Sequence, residues 1–152
     1  MNDELRTLYQ EVILDHNKNP RNFRVLENAD RIVEAYNPLC GAHYTMYLTM
    51  EGDVIREIAF QGSGCAISKS SASVMSATLK GLTKREAEVW FDKFHHLVTE
   101  GLAPGEDPEA YGKLAAFSGV SEFPARVKCA ILAWHTMKSA LQSESATTVT
   151  TE

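Results

Sequence analysis

The chain has 152 residues, a formal net charge of −5 at pH 7, 44% hydrophobic residues and 23% charged residues. That size and balance suit one compact domain and exclude a disordered chain, a collagen-like rod and a small disulfide-stapled fold. A mildly acidic chain without a Lys/Arg block is a poor ligand for phosphate backbones, so a nucleic-acid partner is not expected. No run approaches the ~20 apolar residues of a membrane span, and the acidic, amphipathic start lacks the basic flank of a secretory signal. Three cysteines, an odd number, argue against a disulfide framework and for a reducing compartment; the expected location is the cytoplasm.

Leu5, Leu8, Tyr9, Val12 and Ile13 recur at helical spacing and predict a helix over 3–16, stopped by the polar turn around Pro20. From Arg31 the period changes to two. Tyr44, Met46, Leu48 and Met50 alternate with polar neighbours, and Glu51-Gly52-Asp53 is a turn. A three-stranded antiparallel meander over 31–37, 43–50 and 54–61 is the simplest arrangement. Gly62-Ser63-Gly64 breaks the third strand, and Cys65 opens a helical segment reaching about Lys80. In that segment the small residues Ser68 to Ser73 are read as allowing close helix packing rather than holding phosphate.

Thr83 and Glu86 stand at capping-box spacing before the apolar stripe Ala87, Trp90, Phe91, Phe94, Leu97 and Val98. Residues 102–112 read as a loop, Pro124 suits a first helical turn, and a final helix covers 124–142. The fold class is therefore α+β, a small antiparallel sheet packed with four to five helices. One domain spans 1–142, and the tail 143–152 is expected to be disordered.

The cysteines stand in three contexts. Cys40 lies between Pro38 and Gly41 in a tight turn after a strand. Cys65 follows a glycine-rich break at a helix start, where free amides and the helix dipole favour a thiolate. Cys129 is displaced about 200° around the last helix from Val127, away from the stripe of Ala130, Ile131, Trp134, Lys138 and Leu141. It is thus assigned to a different surface, flanked by Arg126 and Lys128. Buried cysteine is commonly a small hydrophobe, but these contexts fit a shared site better than three core fillers. Three thiolates select zinc, copper(I) or iron–sulfur clusters, and a three-cysteine set leaves a coordination position open for exchange.

Asn-Pro-x-Cys-Gly at 37–41, Gly-Ser-Gly-Cys-Ala-Ile-Ser at 62–68 and a basic residue directly before Cys129 make the chain resemble the IscU/NifU N-terminal family of iron–sulfur cluster assembly proteins. The long segment between Cys65 and Cys129 and the Arg126-Val127-Lys128-Cys129 ending look most like its SufU branch. The resemblance implies a small sheet with packed helices and a metal or cluster site built on Cys40, Cys65 and Cys129. It also implies that Cys40 accepts sulfur as a persulfide from a pyridoxal-phosphate cysteine desulfurase of the SufS type, with Arg126 stabilising charge on sulfur. A [2Fe–2S] or [4Fe–4S] cluster would pass to a downstream acceptor or SufBCD-like machinery, and cluster-bound chains could associate as homo-oligomers.

Two positions depart from the family pattern. Ala42 stands where relatives carry a ligating Asp, and Lys128 stands where the IscU branch carries His, so the fourth ligand is unassigned. His43 is expected to face solvent; water, an exogenous thiol or a partner cysteine would serve equally. The chain lacks the Leu-Pro-Pro-Val-Lys segment by which IscU proteins meet a chaperone, so that partner is not expected. The nearest rival is a zinc-dependent sulfurtransferase using the same cysteines. A structural zinc domain lacks its fourth protein ligand, and a cysteine hydrolase lacks a histidine in a catalytic setting.

Overall fold

The computed structural model describes residues 3–38, 41–142 and, for the backbone alone, 147–150. Helix α1 spans Asp3–Lys18, with Asp3 and Glu4 in its first turn and His16 and Lys18 in its last, as the helix dipole favours. The Asn19–Phe23 turn is anchored through Asn22 to two distant parts of the chain. Asn22, left-handed at φ 59°, accepts the Phe60 amide on its carbonyl at 3.0 Å and donates its side-chain amide to the Ser76 hydroxyl.

Strands β1 (Arg31–Asn37), β2 (Ala42–Glu51) and β3 (Val54–Ser63) form the antiparallel meander expected from the alternation. Pairing of Asn37 with Ala42 and of Tyr44 with Gly62 fixes the register at the end of the sheet from which the chain runs on to Cys65. Period-two alternation places Val33, Ala35, Ala42, Tyr44, Met46 and Leu48 on the buried face. Helices pack that face. The tail departs from expectation: Thr147–Thr150 forms a short strand β4, parallel to β1, giving the sheet order β3-β2-β1-β4. It occupies the edge of β1 that would otherwise leave a row of backbone groups unpaired. Arg31 on β1 donates to the carbonyls of Ala140 and Leu141 at the end of the last helix.

Helix α2 (Ala66–Leu79) and helix α4 (Pro124–Gln142) lie against each other. Helix α3 (Lys84–Glu100) carries the predicted capping box, Thr83 and Glu86 each accepting the other's amide, and ends at Gly101. Between α3 and α4, residues Pro108–Glu122 form a run of 3-10 turns kinked at Gly112, where part of the expected loop becomes packed structure. Tyr111, Leu114 and Phe117 from this run enter the core. Within α4 the expected stripe needs one correction, because Lys138 is exposed. None of the helices is long and apolar enough to cross a membrane, among the described residues.

Candidate metal centre

Cys65 is the N-cap of α2. Its extended backbone (φ −72°, ψ 168°) turns the side chain back over the first turn, where the Ser68 amide donates to Sγ at 3.4 Å. The sulfur thus takes the place of the Ser, Thr, Asp or Asn oxygen that ordinarily satisfies an exposed helix amide. The Ser68 hydroxyl lies 3.0 Å from the Cys65 carbonyl oxygen and 3.7 Å from Sγ. Burial pushes the Cys65 thiol up. Hydrogen bonds from the Ser68 amide and hydroxyl, the Cys129 side chain and the Ile67 amide outweigh it and leave the pKa below the ordinary thiol value.

Cys129 therefore meets Cys65 directly, although they are far apart in sequence. The helix-wheel expectation for Cys129 is corrected in one respect. It does leave the Val127 stripe, but the surface it joins is covered, and the residue is only 2% exposed. The reason is that α4 is packed on most of its circumference, so a position off one stripe lands against α2 rather than water. Arg126 and Lys128, beside it in sequence, are exposed.

Ala42 is fully buried, and its β-carbon lies 3.0 Å from where a side chain on Gly64 would begin. Position 42 thus faces the turn that carries Cys65. His43, next on β2, is exposed and makes an edge contact with Tyr36 on β1. Cys40 lies outside the described residues. Of the predicted set, then, the fold brings Cys65, Cys129 and position 42 together, and points His43 away.

Two contributors escaped the sequence reading. Tyr44 enters from β2 and places its hydroxyl 2.9 Å from the Ser68 hydroxyl, both residues 1% exposed. The glycines beside them answer a steric demand. A β-carbon on Gly62, at φ 137°, would sit 2.1 Å from the His43 carbonyl oxygen, and one on Gly64 would sit 2.5 Å from both hydroxyls. The only trace in the sequence is the spacing of Cys65 and Ser68, that of an N-cap and the residue it caps.

Among the described residues no three His, Cys, Asp or Glu side chains gather into a metal-holding group. The donor chemistry nonetheless fits a soft metal. Two thiols are in contact, one of them held toward its ionised form, and neither is tied up in a disulfide.

A family model described as the NifU-like N terminal domain matches residues 8–130. The zinc-dependent sulfurtransferase SufU of Bacillus subtilis is 38% identical over 143 residues, covering 94% of this chain and 95% of that protein. The iron–sulfur cluster assembly scaffold protein IscU of Streptococcus pyogenes is 34% identical, covering 91% and 86%. Among solved structures, FiSufU of Fervidobacterium islandicum AW-1, described as a scaffold for the SUF system, superposes with a TM-score of 0.78 at 34% identity, covering 90% of this chain and 98% of that one. With most of its length matched by family, relatives and fold alike, the chain belongs to the NifU-like N-terminal domain family.

Proposed function

We propose that this protein accepts sulfur from a cysteine desulfurase and carries a nascent iron–sulfur cluster, acting in the cytoplasm. The observation that carries the reading is the direct meeting of Cys65 and Cys129 at the capped start of α2. Chance packing of two scattered cysteines gives no reason for one sulfur to cap a helix while touching the other. Cys40, two residues before Ala42 in sequence, completes the set in this reading.

Sulfur transfer needs an accessible thiolate and a partner persulfide. The Cys40 thiolate attacks the outer sulfur of the desulfurase persulfide, the sulfur–sulfur bond there breaks, and the partner's cysteine leaves as thiolate. Cys40 then holds the persulfide, and the pyridoxal phosphate belongs to the partner. Arg126, exposed on the first turn of α4 one turn before Cys129, would stabilise negative charge on the transferred sulfur. Cys65 and Cys129 hold iron as the cluster is built, and the product passes to a SufBCD-like acceptor, with cluster-bound chains free to associate.

Position 42 sets how readily the cargo leaves. An aspartate would offer a hard oxygen among thiolates, a natural exit point; Ala42 cannot. Ala42→Asp should shorten the lifetime of a bound cluster, followed by its visible absorbance during transfer to an apo-acceptor. An unchanged lifetime would refute this role for the position.

The likeness to SufU supports a second reading, a zinc-dependent sulfurtransferase with the same residues. Zinc bound by the cysteines would keep them as thiolates, and desulfurase docking would release Cys40 to take sulfur. Iron, zinc and acid-labile sulfide, measured on protein purified without oxygen and supplied with iron, cysteine and a desulfurase, separate the two. Iron and sulfide in equal amounts, lost on Cys65→Ser, support the scaffold. Zinc without sulfide, with the desulfurase still accelerated, overturns it in favour of sulfur transfer.

A further inference from the structure

Two hydroxyls buried side by side are costly unless each has a partner, and packing alone would be served by Phe and Ala. Tyr44 and Ser68 keep theirs, and the chain makes room for them. Gly64 is the residue whose β-carbon would overlap both oxygens, and position 42 carries only a methyl group beside it. Both hydroxyls thus sit against Gly64, the residue directly before Cys65.

The proton bookkeeping is constrained. The Ser68 hydroxyl donates to the Cys65 carbonyl oxygen at 3.0 Å, and its oxygen accepts from the Cys65 thiol, with Sγ at 3.7 Å. That oxygen keeps a second lone pair, and with the Ser68 proton on the carbonyl the Tyr44 hydroxyl at 2.9 Å is placed to donate to it, although either hydroxyl of the pair can be the donor. Once Cys65 gives up its thiol proton on becoming a ligand, the Ser68 proton can turn from the carbonyl to the sulfur while Tyr44 holds the Ser68 oxygen. The Ser68 amide, already on Sγ, holds the sulfur direction throughout.

We propose that Tyr44 and Ser68 form a positioning pair for Cys65, in which Tyr44 acts through Ser68 to orient the sulfur for metal capture. The proposal rests on the reading of Cys65 as a metal ligand. Hydrogen bonds around a ligating group commonly carry about 10–100-fold in metal affinity, so Ser68→Ala should weaken zinc binding by that order. Tyr44→Phe removes one hydrogen bond at second remove and should cost roughly 3–10-fold. Because Tyr44 acts through Ser68, the double variant should bind no more weakly than Ser68→Ala.

The experiment measures zinc by chelator competition and cobalt(II) by its thiolate charge-transfer band, on wild type, Ser68→Ala, Ser68→Thr, Tyr44→Phe and the double variant, each shown folded by circular dichroism. The expected result is an ordered loss, a shifted cobalt band in Ser68→Ala, recovery in Ser68→Thr and no further loss in the double variant. Should Tyr44→Phe not fold, the comparison of Ser68→Ala with Ser68→Thr decides the matter. Equal affinity and equal spectra across the folded chains overturn the positioning pair alone. Additive losses overturn the route through Ser68. A wild-type chain that takes up neither metal overturns the pair together with the ligand reading beneath it.

Discussion

Helices α2 and α3 sit side by side in sequence and are built on opposite plans. Helix α3 is amphipathic: Ala87, Phe91, Phe94, Leu97 and Val98 are buried in a stripe, and its two ends are closed by a capping box and a glycine. Helix α2 has no such stripe. Serines 68, 70, 71, 73 and 76 are buried with Ala72, Val74, Met75 and Leu79, so polar side chains face several neighbours at once. Their hydrogen bonds run both within the helix and across to other elements. Ser71 donates to the Ala130 carbonyl on α4 and accepts from the Trp134 indole, Ser73 meets His16 on α1, and Ser68 meets Tyr44 on β2. A helix held by apolar area tolerates slippage; one held by specific hydrogen bonds does not. The second kind carries the cysteine cap, and small side chains let α1 and α4 approach it closely.

The contrast can be broken first at the aromatic centre on the α3 side. Phe94, fully buried, stacks on Trp134 at 4.4 Å between ring centroids and meets Phe117 edge-on. Phe94→Ala should cost about 3–5 kcal/mol in urea unfolding, through lost transfer energy and the cavity left behind.

On the α2 side the largest effect is a matter of pH. His16 is buried, with Nδ1 2.7 Å from the Ser73 hydroxyl, which also accepts the Arg21 amide. Burial, with help from Arg21 and Lys113 against a small opposing pull from Asp15, lowers its pKa from 6.5 to about 4. The unfolded chain therefore binds a proton that the folded chain resists. Stability from this residue is complete above pH 6.5 and is lost as pH falls toward 4. About 2 kcal/mol should go, the screened part of the ~3 kcal/mol that this displacement represents. His16→Gln should flatten that window in unfolding measured from pH 7 to pH 4; an unchanged slope would refute the assignment.

Ser71→Ala tests the polar plan more locally. It leaves a buried indole N–H and the Ala130 carbonyl without their present partner, at a cost of about 1–3 kcal/mol. A cost near zero would mean that α2 is held by apolar area after all, as α3 is. The smallest effect is expected at the boundary between the two helices. Thr83→Ala opens the capping box and should lower stability by about 1 kcal/mol, with the loss confined to exchange protection in the first turn of α3.

Much of this molecule follows from local pattern. The alternation over Tyr44–Met50, the glycine turn at 52, the Thr83/Glu86 spacing and the stripe of α3 each have a period or a cap that few other structures satisfy. The order of the cysteine motifs was similarly legible, because it depends on residue types and their neighbours.

What tertiary structure alone decided is whatever depends on partners distant in the chain. The tail from Thr147 reads as polar and loop-like until β1 presents an edge for it to pair with, and the run Pro108–Glu122 has no simple period because its turns are shaped by packing against α3. A helix wheel could move Cys129 off one stripe, but only the position of α2 made its other surface a buried one facing Cys65. Tyr44, read as one more apolar face residue, became part of the centre because its hydroxyl reaches past the sheet to Ser68. Local pattern reports which face of an element is apolar; which polar atoms meet across elements is set by how those elements pack.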